Sequence, residues 1–146
     1  MEITCGIFLY STPLKKLLSC HAARAPRNNW SIPKGLKHDN EDSFAAGLRE
    51  LYEETGIDLR NKKIKPDHIF PSVKYRTRNK WLESFLVITN DNWQEHTFVC
   101  HTMVGDKFPE IDKWEWISLK AAERRLHETQ QMYIPTIRKI IQAHRI

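Results

Sequence analysis

The sequence predicts an α/β layered domain built on a mixed β-sheet, and three observations carry that expectation. Segments with strand character are interleaved with segments of helical periodicity, with helices early and late, which is the pattern of a sheet covered by helices. The 146 residues fit one domain of ordinary size, taken as residues 1–146. Apolar residues make up 40% and charged residues 28%, a globular balance rather than a disordered one. No apolar run approaches the roughly 20 residues that span a bilayer, so no membrane partner is expected.

The elements follow in order. Ile3–Tyr10 is apolar and β-branched and reads as a buried strand; Ser11-Thr12-Pro13 turns the chain, and Leu14–His21 returns as the second arm of a hairpin. Arg24–Asn29 is a polar loop. Trp30–Ile32 is a short strand stopped by Pro33, which has no N–H to donate. Asp42 or Ser43 caps a helix that runs through Phe44, Leu48, Leu51 and Tyr52 to Thr55, and Gly56 ends it. Gly47 inside that helix costs roughly 1 kcal/mol against Ala, which a close approach to the sheet would explain. Ile64–Phe70 and Trp81–Thr89 read as strands, with the basic, polar stretch Pro71–Lys80 between them. Asp91–Pro109 is expected to be irregular, and Lys113–Ile117 to be a strand. Ser118 caps a helix through Leu126. Pro135 suits the first turn of a last helix, whose apolar face is Ile137, Ile140 and Ile141.

Cys5, Cys20 and Cys100 are odd in number and widely spaced, which argues against a disulfide framework and a zinc knuckle. Met1–Tyr10 carries Glu2 and no basic stretch, so it is read as a strand and not a secretory signal. Both features lead to the expectation of a reducing, cytoplasmic setting. The histidines form no HExxH pair. The net charge is +5, and its distribution is uneven: Arg60–Lys80 holds eight basic residues and one acid, Asp67, whereas Asp39–Asp58 is rich in acids. A basic patch beside an acidic one suits a polyphosphate bridged to the protein by cations. No motif specifies an oligomeric state.

The chemistry is concentrated in Gly35–Ile57, GLKHDNEDSFAAGLRELYEETGI. Glu50, Glu53 and Glu54 stand at i, i+3 and i+4 and so share one helix face. Three carboxylates this close repel one another, and without a partner at least one tends to stay protonated. A hard divalent cation resolves the conflict, because Mg²⁺ takes oxygen ligands and keeps waters for substrate phosphates. Arg49 can pair with Glu41 from the preceding loop and hold that loop against the helix.

This stretch resembles the Nudix box, GX5EX7REUXEEXGU with U aliphatic, and fills every specified position: Gly35, Glu41, Arg49, Glu50, Leu51, Glu53, Glu54, Gly56 and Ile57. A chance match is below roughly one in a billion per start position at typical residue frequencies. The resemblance implies an α/β/α sandwich and hydrolysis of a phosphoanhydride bond in a nucleoside diphosphate derivative, with Mg²⁺ as cofactor and Mn²⁺ as a possible substitute. It implies metal binding by Glu50, Glu53, Glu54 and the Gly35 carbonyl, with Glu41 and Arg49 as the supporting pair.

The flanks narrow the substrate. Trp30–Gly35, WSIPKG, resembles the W-x-x-P-K-G of diadenosine polyphosphate and diphosphoinositol polyphosphate hydrolases, and places Lys34 beside the metals. Lys80 before Trp81–Val87, and Tyr75 at 18 residues beyond the box, are further marks of the dinucleoside polyphosphate group. Glu110–Ile117, EIDKWEWI, is similar to the pattern E-H-x-x-Y-x-W-L: Glu110 falls on a ligand or general base, and Trp114 on a tyrosine that stacks on adenine. Ile111 replaces the His, and Trp114 the Tyr. By strand alternation Trp114 and Trp116 point to one side, and Trp116 reads as core. Glu53, Glu54 and Glu110 are therefore the expected catalytic carboxylates, and Lys34, Tyr75, Lys80 and Trp114 the expected substrate contacts. A dinucleoside polyphosphate such as diadenosine tetraphosphate ranks first. Pro71, 15 residues after Gly56, resembles ADP-ribose hydrolases, which rank second for want of the longer N-terminal region many of them carry. RNA 5′ ends and diphosphoinositol phosphates also suit the basic Arg60–Lys80 segment. A nucleotide-sensing module that does not cleave could dispense with one or more of these carboxylates, but all three are present.

Overall fold

The computed structural model describes residues 1–144; the last two residues of the expected domain, Arg145 and Ile146, lie outside the described range. Its centre is a pair of long strands, β1 (Glu2–Ser11) and β7 (Lys80–Thr89), which run parallel from Glu2 opposite Lys80 to Ser11 opposite Thr89. Both are buried on two faces, which is why they read as nearly continuous apolar runs. Along β1, Ile7 and Leu9 point to one face and Phe8 and Tyr10 to the other, each into its own core cluster. Helix α1 (Ser43–Thr55) covers the first face through Leu48 and Leu51. On the second lie Ala122 of α2 (Leu119–Arg125) and Ile134, Ile137 and Ile141 of α4 (Ile134–Ala143). The result is the expected α/β/α sandwich with a mixed sheet.

The strands β1 and β2 (Lys16–Ala22) pair at Tyr10–Leu17 and Ser11–Lys16 beside the turn. Beyond that point they splay, and Trp30–Leu36 fills the gap. Its first part, β3 (Trp30–Ser31), pairs with β2; its second, β4 (Lys34–Leu36), pairs with β1, Gly35 opposite Cys5. Pro33 ends β3 as expected, but its carbonyl accepts from the Ile7 N–H at 3.1 Å and the chain resumes as β4, which the sequence did not announce. This wedge delivers the start of the box loop into the sheet.

Other elements correct the expectations. Only His68–Ile69 of Ile64–Phe70 forms a strand (β5), because Pro66 has no N–H and the Asp67 carboxylate takes the Ile88 N–H at 2.7 Å. Val73–Lys74 (β6) pairs with β7 inside the stretch read as polar loop. The irregular stretch hides a hairpin, β8 (Met103–Val104) and β9 (Phe108–Pro109), separate from the main sheet. Strand β10 (Ile111–Ile117) starts earlier than expected, with a register shift between Ile111 and Lys113. A short helix, α3 (Glu128–Gln131), follows α2. The caps are as read: Asp42 accepts from the Ala45 N–H at 2.8 Å, Ser118 from Ala121 at 3.1 Å, and Gly56 adopts a left-handed φ of 81°.

Gly47 is where α1 touches the sheet. A Cβ there would lie 2.9 Å from Ile7 Cδ1 and 3.3 Å from Cγ1, so the helix propensity lost is exchanged for close packing. Gly47→Val should therefore destabilise the protein by about 2 kcal/mol through overpacking. Urea unfolding would show a lower midpoint at unchanged slope; a change below about 0.5 kcal/mol would mean that α1 shifts freely on the sheet.

Candidate active site

Helix α1 presents Glu50, Glu53 and Glu54 on one face, and the box loop folds over them. Glu50 and Glu54 are 8% and 4% exposed, an unusual depth for carboxylates. Gly35 is what permits it: a Cβ on this residue would fall inside the Glu50 carboxylate group. The Lys34 backbone N–H donates to Glu54 Oε1 at 3.1 Å. Arg49 ties loop to helix. Its Nη2 donates to Glu41 Oε1 and to the Leu36 carbonyl, both at 2.8 Å, and its Nε to Glu41 Oε2 at 3.2 Å. Its Nη1 reaches Glu50 at 2.9 Å and Glu53 at 3.1 Å. The Arg49 hydrogen bonds hold the Glu41 carboxyl below its usual range.

The remaining acids are under electrostatic load. Burial pushes Glu50 up to about 7, with Glu53 adding to the rise and Arg49 opposing it. Burial likewise raises Glu54 well above the carboxylate range, Lys34 opposing and Glu50 and Glu110 reinforcing. Among the described residues no three Asp, Glu, His or Cys side chains are already gathered into a cage, and Arg49 bridges Glu50 and Glu53 instead. The donor set nonetheless fits a hard divalent cation: clustered carboxylate oxygens, two of them deeply buried, whose charge is incompletely neutralised by protein. Glu50, Glu53, Glu54 and the Gly35 carbonyl are the residues that would hold it.

Beside these acids opens a cavity of ≈ 290 Å³, lined among others by Thr4, Lys34, Gly35, Glu54, Tyr75, Lys80, Glu110 and His127. Its far wall is cationic. The Lys80 ammonium sits 5.0 Å from the Tyr75 ring centre, and burial, then Lys34 and Arg78, lower its pKa. Neither Lys34 nor Lys80 forms an ion pair among the described residues. Two buried hydroxyls of the cavity lining, Thr4 Oγ1 and Tyr75 Oη, have no hydrogen-bond partner among the described residues. A site that gathers buried carboxylates, the Lys34 ammonium and the half-buried Lys80 ammonium around one cavity is matched to a chain of phosphates carrying divalent cations.

The structure brings together Lys34, Gly35, Glu54, Tyr75, Lys80 and Glu110 in one cavity, with Glu41, Arg49, Glu50 and Glu53 directly behind it. It does not bring Trp114 there. The Trp114 Nε1–H donates to the Glu54 carbonyl at 2.7 Å, and its ring stacks on Phe98 at 5.5 Å, so the indole buttresses the end of α1. Trp116 packs against the core cluster beneath α1, as read. Pro71 does not line the cavity, and its carbonyl accepts from the Tyr133 hydroxyl. Sequence reading missed His127, whose ring lies 5.4 Å from that of Tyr75. Burial holds its pKa below the ordinary value, Glu128 opposing and Lys34 and Lys80 adding to the fall. It is placed by buried Gln130, which accepts from the Ile32 N–H at 2.9 Å and donates to Ser31 Oγ at 3.0 Å, contacts that no local pattern reveals.

A family model of the NUDIX domain matches residues 2–138. Among curated proteins, the chain is 32% identical over 111 residues to an RNA pyrophosphohydrolase of Histophilus somni, covering 66% of this chain and 54% of that protein. It is 27% identical over 108 residues to an RNA pyrophosphohydrolase of Actinobacillus succinogenes, covering 66% and 53%. The chain thus spans about half the length of the curated relatives it matches. Among solved structures, a C. elegans Ap4A hydrolase binary complex superposes with a TM-score of 0.73 at 18% identity, over 98% of this chain and 99% of that one. The E. coli dihydroneopterin triphosphate pyrophosphohydrolase gives 0.72 at 16% identity, over 92% of each.

Two outcomes follow from the geometry. Glu50 has a raised folded-state pKa, so the folded protein binds more protons than the unfolded chain between about pH 4.5 and 7. Its contribution to stability is therefore greatest below that window and is lost as pH rises through 7. Without divalent cations, Glu50→Gln should flatten this fall and raise the melting temperature at pH 8. An unchanged pH–stability profile would show that Glu50 titrates normally. Gly35→Ala should instead displace the Glu50 carboxylate and weaken Mn²⁺ affinity, measured by calorimetry, by tenfold or more, about the scale set by misplacing a metal's supporting groups.

Proposed function

The chain belongs to the Nudix family, and from that premise we propose that it is a Mg²⁺-dependent pyrophosphohydrolase whose preferred substrate is a dinucleoside polyphosphate such as diadenosine tetraphosphate. The observation that carries the reading is the cavity in which Glu54 of the box meets Lys34 and Lys80, two ammoniums with no ion-pair partner among the described residues. Lys34 and Gly35 of the W-x-x-P-K-G segment, Tyr75 and Lys80, which marked this substrate group in the sequence, line that cavity. The likeness to an Ap4A hydrolase over nearly the whole chain supports the same fold.

When bound, Mg²⁺ (or Mn²⁺) supplies an activated water and neutralises charge on the phosphoryl oxygens. Lys34, beside Glu54, and Lys80, against Tyr75, then bind and orient the phosphates. Glu110, at the rim, takes a proton from the attacking water, a role for which Glu53 and Glu54 are the alternatives. Water adds across one P–O–P bridge: a new P–O bond forms, the bridging bond breaks, and diadenosine tetraphosphate yields ATP and AMP. Arg49 and Glu41 are positioning residues. Tyr75 and His127, whose rings lie 5.4 Å apart on the cavity lining, are the aromatic groups that would meet a nucleoside of the substrate. No helix is long and apolar enough to cross a membrane among the described residues, and Cys5, Cys20 and Cys100 are all free thiols. We place the enzyme in the cytoplasm, as one domain over residues 1–146.

A second reading, removal of pyrophosphate from RNA 5′ ends, is favoured by exposed Lys74, Arg76 and Arg78 beside Tyr75 and by the names of the curated relatives. A Mg²⁺-dependent hydrolysis screen across diadenosine tetraphosphate, 5′-triphosphorylated RNA, ADP-ribose and a diphosphoinositol phosphate decides between them. ATP and AMP from the first, ahead of the rest, is the expected result. Competition by RNA that falls steeply with salt, with RNA the best substrate, would overturn it. Glu54→Gln should abolish turnover, and Glu110→Gln should lower kcat about 100-fold with KM little changed, as for a lost general base.

A further inference from the structure

The cavity does not end at Glu110. A shallower groove continues from it past Ala22 and Glu110, between Arg24 and the β8–β9 hairpin, where Met103 and Val104 form the near wall. A third stretch, sharing Arg24 and Val104, reaches Lys107 and Phe108. The stretches share lining residues, so they form one path leading away from the cavity past Glu110, and neither Tyr75 nor His127 lines its outer part.

The composition of that path is unusual for a surface. Met103 is 50% exposed and Phe108 37%, on a two-stranded hairpin that no other strand covers. An isolated two-stranded hairpin is marginal in water, and this one spends its apolar side chains on solvent rather than on the core. Its root is nevertheless fixed to the chemistry: the Glu110 N–H donates to the Thr102 carbonyl at 2.9 Å, and the His101 N–H to the carbonyl of Glu53 at 2.6 Å. On the opposite bank Ala23 N–H donates to the Glu110 carbonyl at 2.9 Å, which sets Arg24 across from the hairpin. Thioether, phenyl ring and guanidinium, with Lys107 beyond, are side chains that take a flat heteroaromatic ring and the phosphate attached to it.

We propose that this groove is a second base-binding subsite, which takes the nucleobase on the far side of the phosphates from Tyr75 and His127. The inference rests on the reading that the cavity holds a polyphosphate. It gives that reading a selection rule: a substrate with a base at both ends of its phosphate chain fills both arms, and a substrate with one base leaves the hairpin bare.

The methionines are Met1, Met103 and Met132, so ¹³C-methyl labelling gives three signals, of which only Met103 lines the groove. The full chain with Mg²⁺ is titrated with a methylene-bridged, uncleavable analogue of diadenosine tetraphosphate and, separately, with the matching analogue of ATP. The Met103 methyl should shift by ring current with the two-base analogue and stay in place with the one-base analogue, Met1 and Met132 serving as references. Phe108→Ala, and independently Arg24→Ala, should lower the ratio of two-base to one-base affinity about fivefold, the modest end for a base stacked on an exposed side chain. If both analogues bind equally tightly and Met103 does not respond, the hairpin serves some other partner and the subsite is wrong, while the phosphate cavity stands. If neither analogue binds, the reading of the cavity fails as well, and the subsite with it.

Discussion

Arg49 is the group on which the rest of the site depends. One guanidinium takes Glu41 with two of its nitrogens, the Leu36 carbonyl with one of these, and Glu50 and Glu53 with its third. The planar fork of arginine can serve a loop and a helix at once in fixed directions, which a lysine ammonium cannot. Arg49 ties the far part of the loop, Leu36 and Glu41, to α1, while Gly35 is held by its pairing with β1. The same contacts engage all three guanidinium nitrogens within the protein itself.

The second constraint is geometric. Strands β1 and β2 separate after two residue pairs, and the sheet is mended by a segment that crosses from one to the other at Pro33. The crossing puts Lys34 and Gly35 over the helix carboxylates on one side. On the other it leaves Thr4 and Cys20 facing open space, which becomes the cavity. Acids and ammoniums thus come from different elements: the acids belong to α1, whereas Lys80 begins β7 and Lys34 begins β4.

Much of this was legible in the sequence because it is local. The cap at Asp42, the stop at Gly56, the carboxylate face and the Glu41–Arg49 pair all lie within the box, where helical spacing converts directly into geometry. The long strands were legible because burial on both faces leaves unbroken apolar runs. What escaped depends on distant partners. Strand β4 exists because β1 has an open edge to receive it, and β6 because β7 does. His127 reaches the cavity because Gln130 bonds to Ile32, 98 residues earlier. Trp114 was matched to a stacking role by pattern; its indole N–H instead finds the Glu54 carbonyl, which no spacing within β10 discloses.

The register of β1 on β7 bears on how the protein comes into being. Every one of its pairs joins residues 78 apart, Glu2 to Lys80 through Ser11 to Thr89. Closing so large a loop must precede any reward from the contacts it makes, and chains rich in such contacts fold slowly. The hairpin β1–β2 and helix α1 can form early, but Lys80 meets Thr4 and Lys34 only after that closure. During synthesis the box helix would therefore emerge with its charged face complete while the opposite wall of the cavity does not yet exist. Until its central sheet is joined, a half-built chain has the acidic face of α1 without Lys80 beside it.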